Sequence, residues 1–272
     1  LKVHAKIIMV MRRENDTIRR YAHLATGNYN PKTAKIYSDL SLFTANYEIV
    51  NDATLFFNLV TGYSTLQNMN QLAMAPVTLK SRLLSMIQRE IDRSDSEHPG
   101  LIMAKMNSLT HDEIIQALYK ASQAGVKVML NVRGICMLVP GVKGLSENIK
   151  VVSIVDRYLE HSRIFYFQNG GEPELYLSSA DWMPRNLDRR IELMFPILDS
   201  SVFKEVKNIL EIYFEDTMNA LELSENGQWK EIPCKNEEQK KRAQEILYKK
   251  YKRRNETAAK KQKIGFEVRR KD

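Results

Sequence analysis

One pattern occurs twice in this chain, and it constrains the fold more than any other feature. The first copy opens the sequence as VHAKIIMV and continues in HLATGNYNPKTAKIYSDLSLF. The second reads EHSRIFYF and continues in LYLSSADWMPRNLDRRIELMF. Each copy sets His-x-basic at the head of an apolar run, His4/Lys6 and His161/Arg163. Each then carries a second apolar run that ends in small hydroxyl residues, a polar turn and a proline. Thr26-Gly27-Asn28 with Pro31 lines up with Ser179-Ala180-Asp181 with Pro184. Both return through an acid and a leucine, Asp39-Leu40 and Glu192-Leu193, and the His-to-Pro spacings differ by only four residues. A repeated strand–turn–strand unit predicts two similar halves meeting across a pseudo-twofold, with His4 and His161 facing one cleft. A strand places residues i and i+2 on one face. His4 and Lys6 are therefore expected to point the same way, with Ile8 and Val10 behind them.

Around the repeat the chain alternates helix and strand patterns. Strands are expected at Val3–Met11, Arg19–Ala25, Gln71–Ala75, Leu101–Met106, Val126–Val132, Val151–Val155, His161–Phe167, Glu174–Ser178 and Ile191–Ile197. Tyr47–Tyr63 reads as a helix. Thr78 can cap another, whose Leu79, Leu83, Ile87 and Ile91 share one stripe. THDE at Thr110–Glu113 has the form of a capping box, and the helix it opens should stop at Gly125. A further helix is expected from about Ser201 to Leu221, and a charged, peripheral one over Glu237–Lys261. The alternation predicts an α/β fold with a mainly buried sheet.

The chain has 272 residues, 43% of them hydrophobic, enough for one or two domains with a sizeable core. No apolar run approaches the ~20 residues of a membrane helix, and no secretory signal is present. Cys136 and Cys234 are isolated, without metal-ligand spacing, which fits a reducing, cytoplasmic compartment. The net charge of +8 is concentrated at the end: residues 235–272 hold 15 Lys/Arg against 6 Asp/Glu, a net of +9. Such a run is either a solvated extension or an arm for a polyanion. The start at Leu1, already strand-like, reads as the start of a fragment.

Two imidazoles, Lys6, Arg163 and the hydroxyl and amide groups of the turns would together suit a phosphate-bearing ligand. Lysine and arginine clamp phosphate oxygens. One histidine can be a nucleophile taking a phosphoryl or phosphatidyl group. The other can bind that group or handle protons. From the residues alone three classes stay open: a phosphotransferase, a hydrolase or phosphatidyltransferase working through a covalent histidine, and a non-catalytic polyanion-binding module. Arg133, at the C-terminal end of a buried strand, stands where α/β proteins place ligands. Arg185, Arg189 and Arg190 cluster in MPRNLDRR.

Two His-x-basic motifs in this arrangement resemble the phospholipase D superfamily. The aspartate expected five positions after each cation is replaced by Met11 and Gln168. LKVHAKI, HLATGNYNPKTAKIYSDLSLFT, AKMNSL, ASQAGVKV, VRGIC, PGVKGLSENI, EHSRIFYF and SSADWMPRNLDRR resemble stretches of the long bacterial polyphosphate kinases, whose catalytic half has that fold. The similarity runs from Leu1 to about Leu221.

The resemblance implies a phospholipase D-like repeat of two similar α/β halves with mixed sheets. Residues 1–70 would be the C-terminal portion of a first catalytic domain, 71–233 a second, and 234–272 a basic helical tail. It implies reversible transfer of the ATP γ-phosphate to polyphosphate through a phosphohistidine. His4 matches the phosphorylated histidine. Tyr37, Arg133 and His161 match positions of ATP binding, and Lys6, Arg163 and Arg190 are placed like phosphate-contacting cations. Magnesium would come with ATP, its associated positions lying upstream of Leu1, with no metal ligands in this chain. The partners implied are ATP, ADP and inorganic polyphosphate, with no specific nucleic acid. The complete enzyme would be a cytoplasmic homo-oligomer, and the resemblance allows peripheral membrane association. The chain alone is expected to be inactive.

Overall fold

The first repeat unit forms because two nine-residue segments with apolar and β-branched runs flank a tight turn at Asn15-Asp16. In the computed structural model, which describes residues 1–65, 67–234, 236 and 240–261, a short strand β1 (Lys2–Val3) precedes the hairpin β2 (Lys6–Glu14) and β3 (Thr17–Ala25). β4 (Tyr37–Ser38), β5 (Ser41–Thr44) and helix α1 (Tyr47–Val60) follow. Asn46 caps α1, its side-chain oxygen accepting from the N–H groups of Glu48 and Ile49 at 3.1 Å each. The second half runs β6 (Ala73–Ala75), α2 (Leu79–Arg93), β7 (Leu101–Met106), α3 (Asp112–Gln123), β8 (Lys127–Val132) and β9 (Ile149–Ile154). β10 (Leu159–Glu160), β11 (Arg163–Phe167), β12 (Glu174–Ser178), α4 (Pro184–Leu187), β13 (Arg190–Pro196) and α5 (Ser200–Phe214) come next. β14 (Ala220–Leu223), β15 (Trp229–Glu231) and α6 (Ala243–Lys261) complete the described chain.

The repeat in the sequence is a repeat in topology. β2-β3-β5 is an antiparallel sheet followed by α1, and β11-β12-β13 is an antiparallel run followed by α5. The second run sits inside a ten-stranded mixed sheet of order β1-β13-β12-β11-β7-β8-β9-β14-β15, with β6 also on β13. β7, β8 and β9 are parallel neighbours, with α3 forming the crossover from β7 to β8 and residues 133–148 the connection from β8 to β9. Two short parallel pairings stitch the halves together. β1 joins β13, with Lys2 opposite Arg190 and Val3 opposite Ile191, while β10 joins β4, with Leu159 opposite Tyr37 and Glu160 opposite Ser38.

The sheet is buried on both faces, so its central strands are mostly apolar, with buried polar exceptions such as Lys105 of β7 and Asn131 of β8. Phe165 and Phe167 of β11 face one core with Leu79, Leu83 and Ile87 of α2, Ile114 and Leu118 of α3, and Trp182. Ile164 and Tyr166 face the other core, with Ile49 and Phe56 of α1, Leu210 and Tyr213 of α5, and Ala243 of α6. The α2 stripe read from the sequence is the buried one, with Ile91 at its edge.

Several expectations are corrected. Ile8 and Val10 are 47% and 52% exposed, and it is Ile7 and Met9 that pack inward. The THDE box does not form. α3 begins one residue later behind His111, because the Thr110 and His111 N–H groups donate to the Trp182 carbonyl. Thr78 holds the N-cap position of α2 as expected, but its hydroxyl makes no capping bond to the helix because it is engaged with the Met74 backbone. α5 stops at Phe214 rather than Leu221. The Asp216 carboxylate gathers the N–H groups of Met218, Asn219 and Ala220 into a turn that leads to β14. The helix expected over Glu237–Lys261 is not peripheral at its start: Ala243 is fully buried and its N–H donates to Asp216 at 2.7 Å. Residues 235, 237–239 and 262–272 of the basic run lie outside the described residues.

The halves also share a buried carboxylate. Asp52 of α1 is 1% exposed and accepts from the N–H groups of Gln71 and Leu72, at 2.6 and 2.9 Å, where the chain enters the second half. Asp52→Ala leaves both donors unpaired, at a cost of about 1–3 kcal/mol each. A loss of about 2–4 kcal/mol in urea-unfolding stability is expected, and a loss under about 0.5 kcal/mol would contradict this assignment.

Candidate active site

Neither histidine lies in the strand it was expected to occupy. The N–H groups of His4 and Ala5 both donate to the Ile191 carbonyl, at 2.8 and 3.0 Å. Those of His161 and Ser162 both donate to the Ser38 carbonyl, at 3.1 and 3.0 Å. Successive N–H groups of a strand point in opposite directions, so two of them on one acceptor force a kink. β2 and β11 start only after it, at Lys6 and Arg163. The basic residue of each motif then turns back on its own histidine. Lys6 Nζ donates to the His4 carbonyl, and Arg163 Nη1 donates to the His161 carbonyl at 2.7 Å.

Each kinked histidine is held by the acid of the opposite half. His4 Nδ1 is 2.9 Å from Glu192 Oε2, and His161 Nδ1 is 2.9 Å from Asp39 Oδ1. The acids are anchored by matching hydroxyls: Thr26 Oγ1 donates to Asp39 at 2.7 Å, and Ser179 Oγ donates to Glu192 at 2.5 Å. Asn186 Nδ2 donates to the other Glu192 oxygen at 2.6 Å. A carboxylate on Nδ1 fixes the Nδ1–H tautomer and leaves the Nε2 lone pair for chemistry. The sequence reading missed these roles of Asp39, Glu192, Thr26 and Ser179. The signal was present, since an acid followed by leucine stands at the matching place in each copy.

The two sites are not equivalent beyond that pair. Among the described residues, His4 Nε2 has no hydrogen-bond partner, whereas Arg163 Nη1 lies 3.1 Å from His161 Nε2. Burial, countered by Asp39 and reinforced by Arg163, pulls the His161 pKa down, so this imidazole is neutral at neutral pH. Arg163, 3% exposed, spends its fork on Asp181, with Nε and Nη2 each 3.1 Å from a carboxylate oxygen. Burial opposes ionisation of Asp181, but Arg163 and Asn107 outweigh it and hold its carboxyl below the usual range. Burial also lowers the Lys6 pKa to about 8, against an opposing pull from Glu192.

The other residues singled out in the sequence fall around this cluster. Tyr37 of β4 sets its ring 5.0 Å from the His161 ring. Arg133, half-buried at the end of β8, donates through Nε and Nη2 to Asn107 Oδ1 at 3.0 and 2.9 Å. Asn107 in turn donates from its N–H to Asp181 at 2.7 Å. Arg190 opens β13 two residues before Glu192 and so shares its side of the strand. Arg185 and Arg189 are exposed, and Trp182 is fully buried against Phe165. Among the described residues no group of three His, Cys, Asp or Glu side chains is arranged to hold a metal ion. No helix among them is long and apolar enough to cross a membrane.

This geometry can be set beside known proteins. Residues 1–66 match the family described as polyphosphate kinase C-terminal domain 1, and residues 72–244 match polyphosphate kinase C-terminal domain 2. The chain is 51% identical to a polyphosphate kinase of Rhodopirellula baltica over 91% of its own length and 29% of the relative's. It is 46% identical to polyphosphate kinase 1 of Chlorobaculum tepidum over 98% of its length and 38% of that protein's. The crystal structure of polyphosphate kinase from Porphyromonas gingivalis covers 94% of this chain with a TM-score of 0.88 at 40% identity, over 40% of its own length. The chain thus spans about a third of the curated relatives it matches. With both C-terminal domain descriptions matched in order and the fold shared with a solved member, the chain belongs to the polyphosphate kinase family.

Proposed function

We propose that this chain carries the phosphoryl-transfer centre of an ATP:polyphosphate phosphotransferase. The observation that carries this reading is the pair of histidines oriented by acids from opposite halves, with Lys6 and Arg163 behind them. Residues 1–70 serve as the C-terminal part of a first catalytic domain and 71–233 as a second, with the head of α6 packed on the latter. ATP, ADP and inorganic polyphosphate are the substrates and products.

In this mechanism His4 is the nucleophile. Its Nε2 lone pair attacks the γ-phosphorus of ATP, the bond from that phosphorus to the β,γ-bridging oxygen breaks, and ADP leaves. Glu192 keeps the Nδ1 proton and offsets the positive charge that develops on the ring. A terminal oxygen of polyphosphate then attacks the phosphohistidine, the P–N bond breaks, and the chain is one phosphate longer. Such transfers depend on positioning and charge stabilisation more than on acid–base strength. Lys6 supplies charge beside His4. His161, neutral and backed by Arg163, binds the transferring group, and Tyr37 and Arg133 flank the nucleotide. Arg190 meets the phosphates from the Glu192 side.

Labelling tests the assignment. In the polypeptide that carries this chain, γ-labelled ATP should give an acid-labile phosphoenzyme that His4→Ala abolishes. His161→Ala should slow turnover while leaving some label. Glu192→Gln should slow labelling by about 10²-fold, because the tautomer is no longer enforced. Label that persists after His4→Ala and vanishes after His161→Ala would reverse the two roles. Label taken only from a phosphodiester would indicate the hydrolase or phosphatidyltransferase class, and label from neither would indicate a binding module.

Lys6 gives a pH test. Its ammonium is charged below about pH 8 and neutral above it, with Glu192, Asp39, Asp181 and Arg163 as its charged neighbours. A bound phosphate favours the charged form, so binding takes up a proton as the pH passes 8. Tripolyphosphate affinity should fall about tenfold between pH 7 and 9.5. Lys6→Arg should flatten that profile. An equally steep fall in Lys6→Arg, read by calorimetry, would remove Lys6 from phosphate binding.

A further inference from the structure

The two halves match in their acid–histidine pairs, but only the second has a buried polar chain beneath its histidine. Glu160, the residue before His161, is 2% exposed, and Lys105 of β7 is 1% exposed. Lys105 Nζ is 3.0 Å from Glu160 Oε2 and donates to Ser162 Oγ at 3.0 Å and to the Ser162 carbonyl at 3.3 Å. It therefore grips the chain on both sides of His161. At the place of Glu160 in the first copy stands Val3, 50% exposed.

The other Glu160 oxygen is held from α6. Gln244 Nε2 donates to Glu160 Oε1 at 2.7 Å and to the Tyr158 carbonyl at 2.8 Å, and Gln244 Oε1 accepts from the Tyr158 N–H at 3.0 Å. One amide thus satisfies three groups on the segment that leads to His161. Around it α6 is clamped by Ala243 N–H on Asp216 and by the fork of Arg242 on Asp156, at 3.0 and 2.5 Å. A buried ion pair is costly unless every remaining lone pair and proton is used. Here the Gln244 amide satisfies Glu160 Oε1, while Oε2 has the Lys105 ammonium beside it and no hydrogen bond among the described residues, so the cost of the pair depends on the docking of α6.

We infer that Gln244 is a positioning residue for His161: the first turn of α6, through Gln244, Glu160 and Lys105, fixes the backbone on either side of the imidazole. The C-terminal helix is then part of the reaction centre's scaffold, and its undocking releases His161 while leaving His4 in place. This rests on the reading of His161 as a group that contacts the transferring phosphate.

The test uses the full 272-residue chain, labelled for NMR, and reads the titration midpoint of His161 and the exchange of the His161 and Ser162 amides. The groups facing the ring, Asp39, Lys6, Arg163 and Tyr37, stay unaltered. Gln244→Met keeps the packing of α6 and removes the amide. It should raise the His161 midpoint by about half a pH unit or more, toward that of an open imidazole, and speed exchange of both amides by about tenfold or more. The His4 midpoint should stay fixed. Arg254→Ala loosens α6 elsewhere, by removing its pair with Glu205 of α5, and should move neither reading. If Gln244→Met does not fold, Gln244→Asn withdraws the amide by one methylene and carries the same expectation. An unchanged His161 midpoint in a folded Gln244 variant, or an equal shift in Arg254→Ala, would overturn the inference. Neither reading uses nucleotide or polyphosphate, so failure here is separate from failure of the transfer chemistry, which the labelling experiment addresses.

Discussion

His4 is held by a carboxylate 188 residues away, and His161 by one 122 residues away in the other direction along the repeat. Each half supplies the imidazole of one pair and the acid of the other. Neither half can then complete a pair alone, and the two must dock before either histidine has a fixed tautomer. The backbone enforces the same exchange. Ile191, next to Glu192, takes both N–H groups of His4 and Ala5, and Ser38, next to Asp39, takes those of His161 and Ser162. Sheet pairing and imidazole orientation are therefore one event.

That event also explains why small and polar residues occupy the turns. Thr26 and Ser179 hold the acids by their hydroxyls, at equivalent places in the two copies. Gly27 lies so close to Asp39 that a Cβ would meet its carboxylate at 2.2 Å, so only glycine lets Thr26 and Asp39 meet. The symmetry then breaks where chemistry needs it to break. Arg163 reaches the His161 ring and is locked on Asp181, while Lys6 keeps a weakly held proton beside a His4 ring whose Nε2 is free among the described residues. In the proposed mechanism the first of these asymmetries makes His161 a fixed contact, and the second leaves His4 free to act as the nucleophile.

Much of this was legible in the sequence, for identifiable reasons. Apolar runs such as Leu101–Met106 and Glu174–Ser178 keep their strand assignments because their burial leaves little competition. The α2 stripe is read correctly because a helix buries one face at a fixed period. The misses are cases where a distant partner overrode a local rule. Trp182 takes the N–H groups that the THDE box was to satisfy, and Ser38 and Ile191 pull the histidines out of their strands. Met74 takes the Thr78 hydroxyl. The exposed Ile8 and Val10 invert the expected face of β2, since α1 packs on its Ile7 and Met9 side. The histidine–acid exchange was implicit in the paired acid–leucine returns, but only contacts across the chain say which acid meets which imidazole.

The most direct test of this account is the protonation site of each imidazole, read from long-range ¹H–¹⁵N correlations at neutral pH. The exchange of carboxylates requires His4 and His161 both to carry their proton on Nδ1. Asp39→Asn should disturb the His161 pattern alone, and Glu192→Gln the His4 pattern alone. Finding either ring as the Nε2–H tautomer in the unaltered chain, or finding that Asp39→Asn changes His4 instead of His161, would contradict the crossed pairing on which the rest depends.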